Sequence, residues 1–291
     1  MIYTIENDKI KVDFSDIGGE MQSLVNKANG KEYLWQGNPE FWAGRAYNLF
    51  PICGRLTEGK YTYEGKEYEM NLHGFVRNSL MKVEQKSATE IAFVLESDEE
   101  IKKQYPFDFI YTVTYILDGA RVKTVYNIKN TGAKPMYFAV GGHPGFNVPI
   151  NEGECFEDYY LEFDCVKPME WMQMTPLFYT GRNVPYPMID GKIIELTHSL
   201  FSEDARFFTN MCKNVTMKSK KSDSFVRLEY PKMRNLGIWH KPQTEAPYLC
   251  IEPWSSVPSF DGKVDDIETK NQMEKLDSAQ TYEGGFDIII G

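Results

Sequence analysis

The run Phe109-Ile-Tyr-Thr-Val-Thr-Tyr-Ile-Leu117 is followed by Asp118-Gly119 and then by Val122-Lys-Thr-Val-Tyr-Asn-Ile128. Side chains alternate across a strand, so Phe109, Tyr111, Val113, Tyr115 and Leu117 fall on one face. An Asp-Gly pair suits the positive φ of a tight turn. The stretch therefore predicts a long β-hairpin with one buried face.

The same signals recur outward from this hairpin. Ile10 to Phe14 alternates, Gly18-Gly19 breaks the run, and Met21 to Val25 resumes it. Gly59 to Tyr63 and Lys66 to Met70 flank Glu64-Gly65 as a second hairpin. Further strands are predicted at 91–95, 159–163, 193–196, 225–230, 236–239, 248–251 and 286–290. Helical signals are short. Ser97-Asp-Glu-Glu100 resembles a capping box before Ile101 to Gln104, with Pro106 as the stop. Asn38-Pro39 can open one turn, and Asp266 to Leu276 reads as either a short helix or an irregular segment. The polar stretch Lys213 to Ser224 reads as an exposed loop or hairpin tip, and its lysines (Lys218, Lys220, Lys221) as a solvated face. No fixed-period repeat and no low-complexity linker divides the chain. Many short strands, few helices and no linker predict an all-β fold over residues 1–291, one antiparallel sandwich or barrel.

Composition narrows the function classes. The chain has 291 residues and a formal net charge of −10. Nucleic-acid binding, which needs a basic footprint, is not expected. No apolar run reaches the ~20 residues that span a bilayer, and the N-terminus lacks a signal-peptide pattern. Five widely spaced cysteines (Cys53, Cys155, Cys165, Cys212, Cys250) with no Cys-x-x-Cys predict reduced thiols and a cytoplasmic protein. Cys250, among apolar neighbours, reads as packing rather than as a nucleophile.

Four clusters break the alternation: Asn48 to Arg55, Asn71 to Arg77, Gly142 to Asn147 and Tyr248 to Ser256. In Tyr137 to Ile150 an apolar strand ends at Gly141-Gly142 and delivers His143, held extended by Pro144. Glu252 directly follows Tyr-Leu-Cys-Ile, so it enters a partly desolvated place where burial raises its pKa and a cation lowers it. A carboxylate of that kind serves as a general base and a His as the acid. His73 either satisfies a loop or joins the site. Arg55 either pairs with a carboxylate such as Glu252 or binds substrate. Arg77 reads as structural or surface, Trp35 and Trp42 as core, and His198 as structural. His73, His143 and Glu252 lack the i, i+4 spacing of a zinc helix, so no metal is expected. There is no phosphate-binding Gly loop and no Gly-x-Ser-x-Gly elbow, so no nucleotide cofactor and no serine nucleophile are expected.

On Cys-Gly-Arg55-Leu, Leu-His73-Gly-Phe-Val-Arg77, Gly-His143-Pro-Gly-Phe-Asn147 and Ile-Glu252-Pro-Trp, the chain resembles the aldose 1-epimerase (galactose mutarotase-like) family. The resemblance runs across nearly the whole chain. It implies a large antiparallel β-supersandwich and a cofactor-free mutarotase that interconverts the α and β anomers of an aldose. It assigns Glu252 as base and His143 as acid, with His73 and Arg55 holding sugar oxygens. Trp254, like Trp239, reads as core or as an aromatic face for a sugar, and Trp254 is taken as a substrate-binding candidate. It also implies a sugar-binding aspartate, for which Asp204 is the candidate. Two features depart from the family pattern. Gly145 stands where the family has Tyr, which removes an aromatic wall. The His-Gly-Phe-x-Arg form is closer to the hexose-6-phosphate mutarotase branch, for which Arg45, Arg55, Arg77 and Lys241 would be the cations. The expected partner is a monosaccharide or a sugar phosphate. A silent carbohydrate-binding protein on the same scaffold is the alternative, since a fold does not fix a function. The oligomeric state stays open.

Overall fold

The computed structural model describes every residue of 1–291 except Lys167 and Pro176. The opening hairpin is present as Phe109–Asp118 and Arg121–Asn130, and residues 109, 111, 113, 115 and 117 are all buried. It lies inside a nine-stranded antiparallel sheet, next to the C-terminal strand Thr281–Ile290. That last strand is held on its other side by Phe225–Glu229.

A seven-stranded antiparallel sheet packs on this one. Its central strands are Asn235–Trp239, Tyr248–Trp254 and Gly141–Asn147, with Ala46–Leu49 at one edge and Arg206–Thr209, Glu170–Met174 and Tyr179–Pro185 on the other side. The sheets meet through apolar side chains and a few buried polar ones. Tyr126 and Tyr115 on the large sheet hydrogen-bond Asn48 on the small one, and the Tyr126 hydroxyl also donates to the Gly141 carbonyl. At Gly142 the sheets come so close that a Cβ would lie 2.4 Å from the Phe286 ring. A four-stranded sheet, Ile2–Glu6 to Lys31–Glu32, and two small sheets complete the β structure.

The structure corrects several expectations. The chain does not leave a strand at Gly141-Gly142. It changes partner at Ala139 and Val140: Met136–Phe138 pairs with Glu274–Leu276, and Gly141–Asn147 is itself a strand of the seven-stranded sheet. Within 213–224, Asn214–Ser219 is a strand. Residues 220–224 form the tip that joins it to Phe225–Glu229, as expected. Lys220 and Lys221 are solvent-exposed and Lys218 partly so, while pairing with Glu195, Asp158 and Glu162 respectively. The one α-helix among the described residues, Glu99–Gln104, is capped by Asp98, because the Ser97 hydroxyl is committed to the Phe109 amide. Residues 266–276 form no helix and end in the strand Glu274–Leu276. Cys165 and Cys212 are joined in a disulfide with Cα atoms 5.8 Å apart, while Cys53, Cys155 and Cys250 are free. No helix among the described residues is long and apolar enough to cross a membrane.

Candidate active site

The site grows from the register of the seven-stranded sheet. Gly141 lies opposite Trp254 and Gly145 opposite Cys250, so His143 and Glu252, midway between, face each other across two strands. On the outer sides of this pair, Tyr47 lies beside His143 and Gly237 beside Glu252, with Phe207 beyond. Alternation sends this row to the face away from the large sheet. Pro144 and Pro253 bear no amide hydrogen, and the ladder between these strands is unpaired from Gly142 to Pro144. The two strands thus meet through the His143 and Glu252 side chains where their backbones do not.

His143 Nε2 and Glu252 Oε2 are 3.3 Å apart, and the two residues are only 7% and 2% exposed. Burial pushes the His143 imidazole down to about 3, with the Arg77 guanidinium adding to the effect. Burial raises the Glu252 carboxyl well above the carboxylate range, and the nearby Asp204 charge raises it further. Both shifts favour the neutral forms, a carboxyl against an imidazole that together hold one proton, over an ion pair.

This row forms the floor of a cavity of about 770 Å³. His73 enters from the loop after Lys66–Glu69. Its backbone is left-handed (φ 64°), and Gly74 follows at φ 75° because a Cβ there would meet the Phe50 carbonyl oxygen at 2.1 Å. The Gly54 amide donates to His73 Nδ1 at 3.1 Å, which leaves Nε2 as the protonated nitrogen of a neutral ring. Burial first, then the neighbouring His143, Arg77 and Arg55, hold His73 well below its usual pKa. Asp204 stands across the cavity in a strained conformation (φ 123°). Its Oδ1 accepts from the Trp239 indole at 2.9 Å and the Ala205 amide at 2.8 Å. Burial raises its pKa, against those two bonds and the Arg55 charge. Trp254 forms a wall, edge-on to His73.

The residues singled out in sequence, Glu252, His143, His73, Arg55, Asp204 and Trp254, all line this one cavity. Several details differ from expectation. Arg55 makes no ion pair with Glu252, and among the described residues its guanidinium makes no ion pair or hydrogen bond. Arg77 is not a surface residue: it lines the cavity with its guanidinium over the Tyr47 ring, 5.2 Å from the centroid. Arg45 and Lys241 stay outside the lining, bonded to Gln22, Gln36 and Glu40. His198 and His240 contact each other at 3.2 Å away from the cavity, under Phe156.

Trp42 is the main residue that sequence reasoning missed. It is not core. Its ring lies over His143, centroids 4.9 Å apart, and lines the cavity. A Cβ on Gly145 would sit 2.9 Å from the Trp42 ring. The aromatic wall that Gly145 seemed to remove is thus supplied by a loop a hundred residues earlier. Tyr47, opposite His143, was also missed. The Gly145 departure was the available signal, since an absent side chain beside a candidate acid asks what fills the space.

Among the described residues, Arg77 Nε, Trp254 Nε1, Trp171 Nε1 and Gln173 Nε2, all on residues that line the cavity, are buried donors without a protein acceptor.

Comparison with known proteins shows the family. The profile of the aldose 1-epimerase family matches residues 1–260. The plasmid-encoded protein LacX of Lactococcus lactis subsp. lactis is 32% identical over all of this chain and 99% of its own length. A galactose mutarotase related enzyme from Lactobacillus acidophilus is 34% identical, with a TM-score of 0.96 over all of this chain and 97% of that one. A galactose mutarotase-like protein from Lactobacillus casei is 31% identical, with a TM-score of 0.95 over the whole of both chains. From the match of profile, sequence and fold, the chain belongs to the aldose 1-epimerase family.

Proposed function

We propose that the protein is a mutarotase acting on a pyranose aldose by proton transfer between His143, Glu252 and the sugar. The observation that carries this is the buried, register-fixed pair at 3.3 Å on the cavity floor. Ring opening needs a proton removed from O1 and one delivered to O5, two oxygens on one carbon, so acid and base must sit close together. In the reactive form the shared proton has passed from Glu252 to His143, with sugar hydroxyls replacing solvent around the carboxylate. Glu252 takes the O1 proton, the O1 electrons form the C1 carbonyl, the C1–O5 bond breaks, and O5 takes the proton from His143. Rotation about C1–C2 and the reverse steps give the other anomer. The pair that held one proton at the start holds one at the end. His73 Nε2–H, Arg55, Asp204 and Trp254 hold the sugar, which places the reacting oxygens and accounts for much of the acceleration.

The test follows fresh α-D-glucose and α-D-galactose to anomeric equilibrium by NMR. Acid–base assistance of this kind contributes ~10²–10⁴, so Glu252→Gln should lose at least about a hundredfold in exchange rate while sugar affinity stays within a few-fold. An unchanged rate in that variant would remove Glu252 from the chemistry. Sugar-induced shifts without any acceleration would make the protein a binder on an enzyme's scaffold.

One observation favours a phosphorylated aldose as a second reading. Among the described residues Arg55 and Arg77 pair with no carboxylate, although acids exceed bases by ten in this chain. Saturation-transfer NMR with glucose 6-phosphate decides it. If the phosphosugar is the substrate, Arg77→Ala should raise its KM about tenfold and leave that of any free sugar within twofold.

A further inference from the structure

The row beneath the acid–base pair holds one more chemical group. Cys250 is two residues before Glu252 on the same strand, so its side chain points to the same face, and it lies opposite Gly145. The ligand atoms of Cys250, His143 and Glu252 lie within 4.8 Å of one another, all three residues are buried, and this is the one such cluster of three among the described residues. The 3.3 Å between His143 Nε2 and Glu252 Oε2 matches the edge of a tetrahedral zinc site, roughly 3.3–3.6 Å from bond lengths near 2.0–2.3 Å. Cys250 Sγ supplies the third vertex on the Gly145 side, where a Cβ would lie 3.3 Å from Sγ. His143 and Glu252 line the cavity, and Cys250 lies behind them.

We propose that Cys250, His143 and Glu252 bind one soft divalent cation of the zinc type, and that the ion and a sugar exclude each other. Thiolate and imidazole select such a metal over magnesium or calcium. The charges also balance. Binding displaces the Cys250 thiol proton and the Glu252 carboxyl proton to the buffer, so a 2+ ion meets one thiolate, one carboxylate and one neutral imidazole. The buried site is then uncharged, which avoids the cost of an unpaired ion. The ion would hold both groups that the sugar needs, so it acts as an off-switch set by free metal. The exclusion rests on the mutarotase reading above; the binding does not.

The test uses the full chain stripped with a chelator, with Zn²⁺ added in competition with a chromophoric chelator and Co²⁺ as an optical probe. All titrations are made in a Cys155→Ser background to remove the exposed free thiol. The expected result is one equivalent bound and a thiolate-to-cobalt charge-transfer band in the near ultraviolet. Cys250→Ala should abolish the band and weaken Zn²⁺ at least tenfold, while its metal-free exchange rate stays within threefold. His143→Asn should weaken Zn²⁺ similarly, which keeps the proposal testable if the Cys250 variant fails to fold. Zn²⁺ should slow anomer exchange, relieved by raising sugar, and Mg²⁺ should not. Absence of binding, or a band and affinity that survive Cys250→Ala, would overturn the proposal. Binding with the expected ligands in a protein that exchanges no anomers would leave the metal site standing and refute the mutarotase reading alone.

Discussion

His143 and Glu252 hold their roles through burial, and burial makes their pH behaviour predictable. The competent pair carries one proton. Acid adds a second only near His143's lowered value of about 3, and base removes the last only above Glu252's raised value. The exchange rate should therefore show no acid limb near the ordinary His value of about 6.5, because the His143 value has moved down to about 3. A rate that doubles or halves across that value would contradict the neutral pair. His143→Asn should cost tenfold or more with the fold intact, read by NMR exchange and by circular dichroism.

Glu252 should also destabilise the fold at neutral pH. Its pKa is raised on folding, so below its unfolded value of about 4.3 both states are protonated and there is no penalty. As pH rises above that value the unfolded chain ionises, the folded one does not, and the penalty grows until the folded pKa is reached. Glutamine has no proton to lose. Glu252→Gln should therefore be the more stable protein at pH 7, with the advantage gone near pH 4. Urea unfolding at the two pH values measures it.

At the scale of elements, the two sheets depend on small residues where they touch. Gly142→Ala would drive a methyl into the Phe286 ring, and overpacking of this kind costs about 1–3 kcal/mol. The urea midpoint should fall with the slope unchanged. The same closeness explains which strands were legible. The hairpin from Phe109 has one covered face and one partly open face, so its alternation survives in the sequence. Tyr248–Trp254 is buried on both faces, the core on one and the cavity on the other, and six of the seven residues of Gly141–Asn147 are buried. Two-sided burial erases the period of two, and the glycines and prolines of 141–145 read as a strand end. Asn214–Ser219 was hidden for a different reason: its Lys218, and Lys220 and Lys221 in the turn after it, pair with acids far away in sequence. Glu252 and His143 were legible because a titratable group in an apolar run is conspicuous. Trp42 and Tyr47 were not, since their place beside His143 is set by a tertiary contact.

For the molecule as a whole, the C-terminal strand is a keystone. Thr281–Ile290 fills the middle of the nine-stranded sheet between Arg121–Asn130 and Phe225–Glu229, and buries Phe286, Ile288 and Ile290. The Tyr33 hydroxyl donates to the Gly291 carbonyl and so ties the chain end to the first quarter of the sequence. Deleting 281–291 would leave two sheet fragments, each with a bare edge of unpaired amides and carbonyls, a template for association. Such a chain should lose cooperative unfolding and sediment as aggregates, whereas the intact chain should unfold in one transition.

The walls of the cavity are unevenly coloured. Trp42, Trp171, Trp239 and Trp254 line it, and of the five tryptophans in the chain only Trp35 does not. Excitation at the red edge of the near-ultraviolet band, which selects tryptophan over the 18 tyrosines, is therefore in the main excitation of this cavity. Trp42 lies ring to ring with His143, so a guest that pries them apart, or a proton that moves onto the imidazole, changes what that indole emits. The molecule carries its own optical dye, and occupancy can be followed by light in stopped flow without a label.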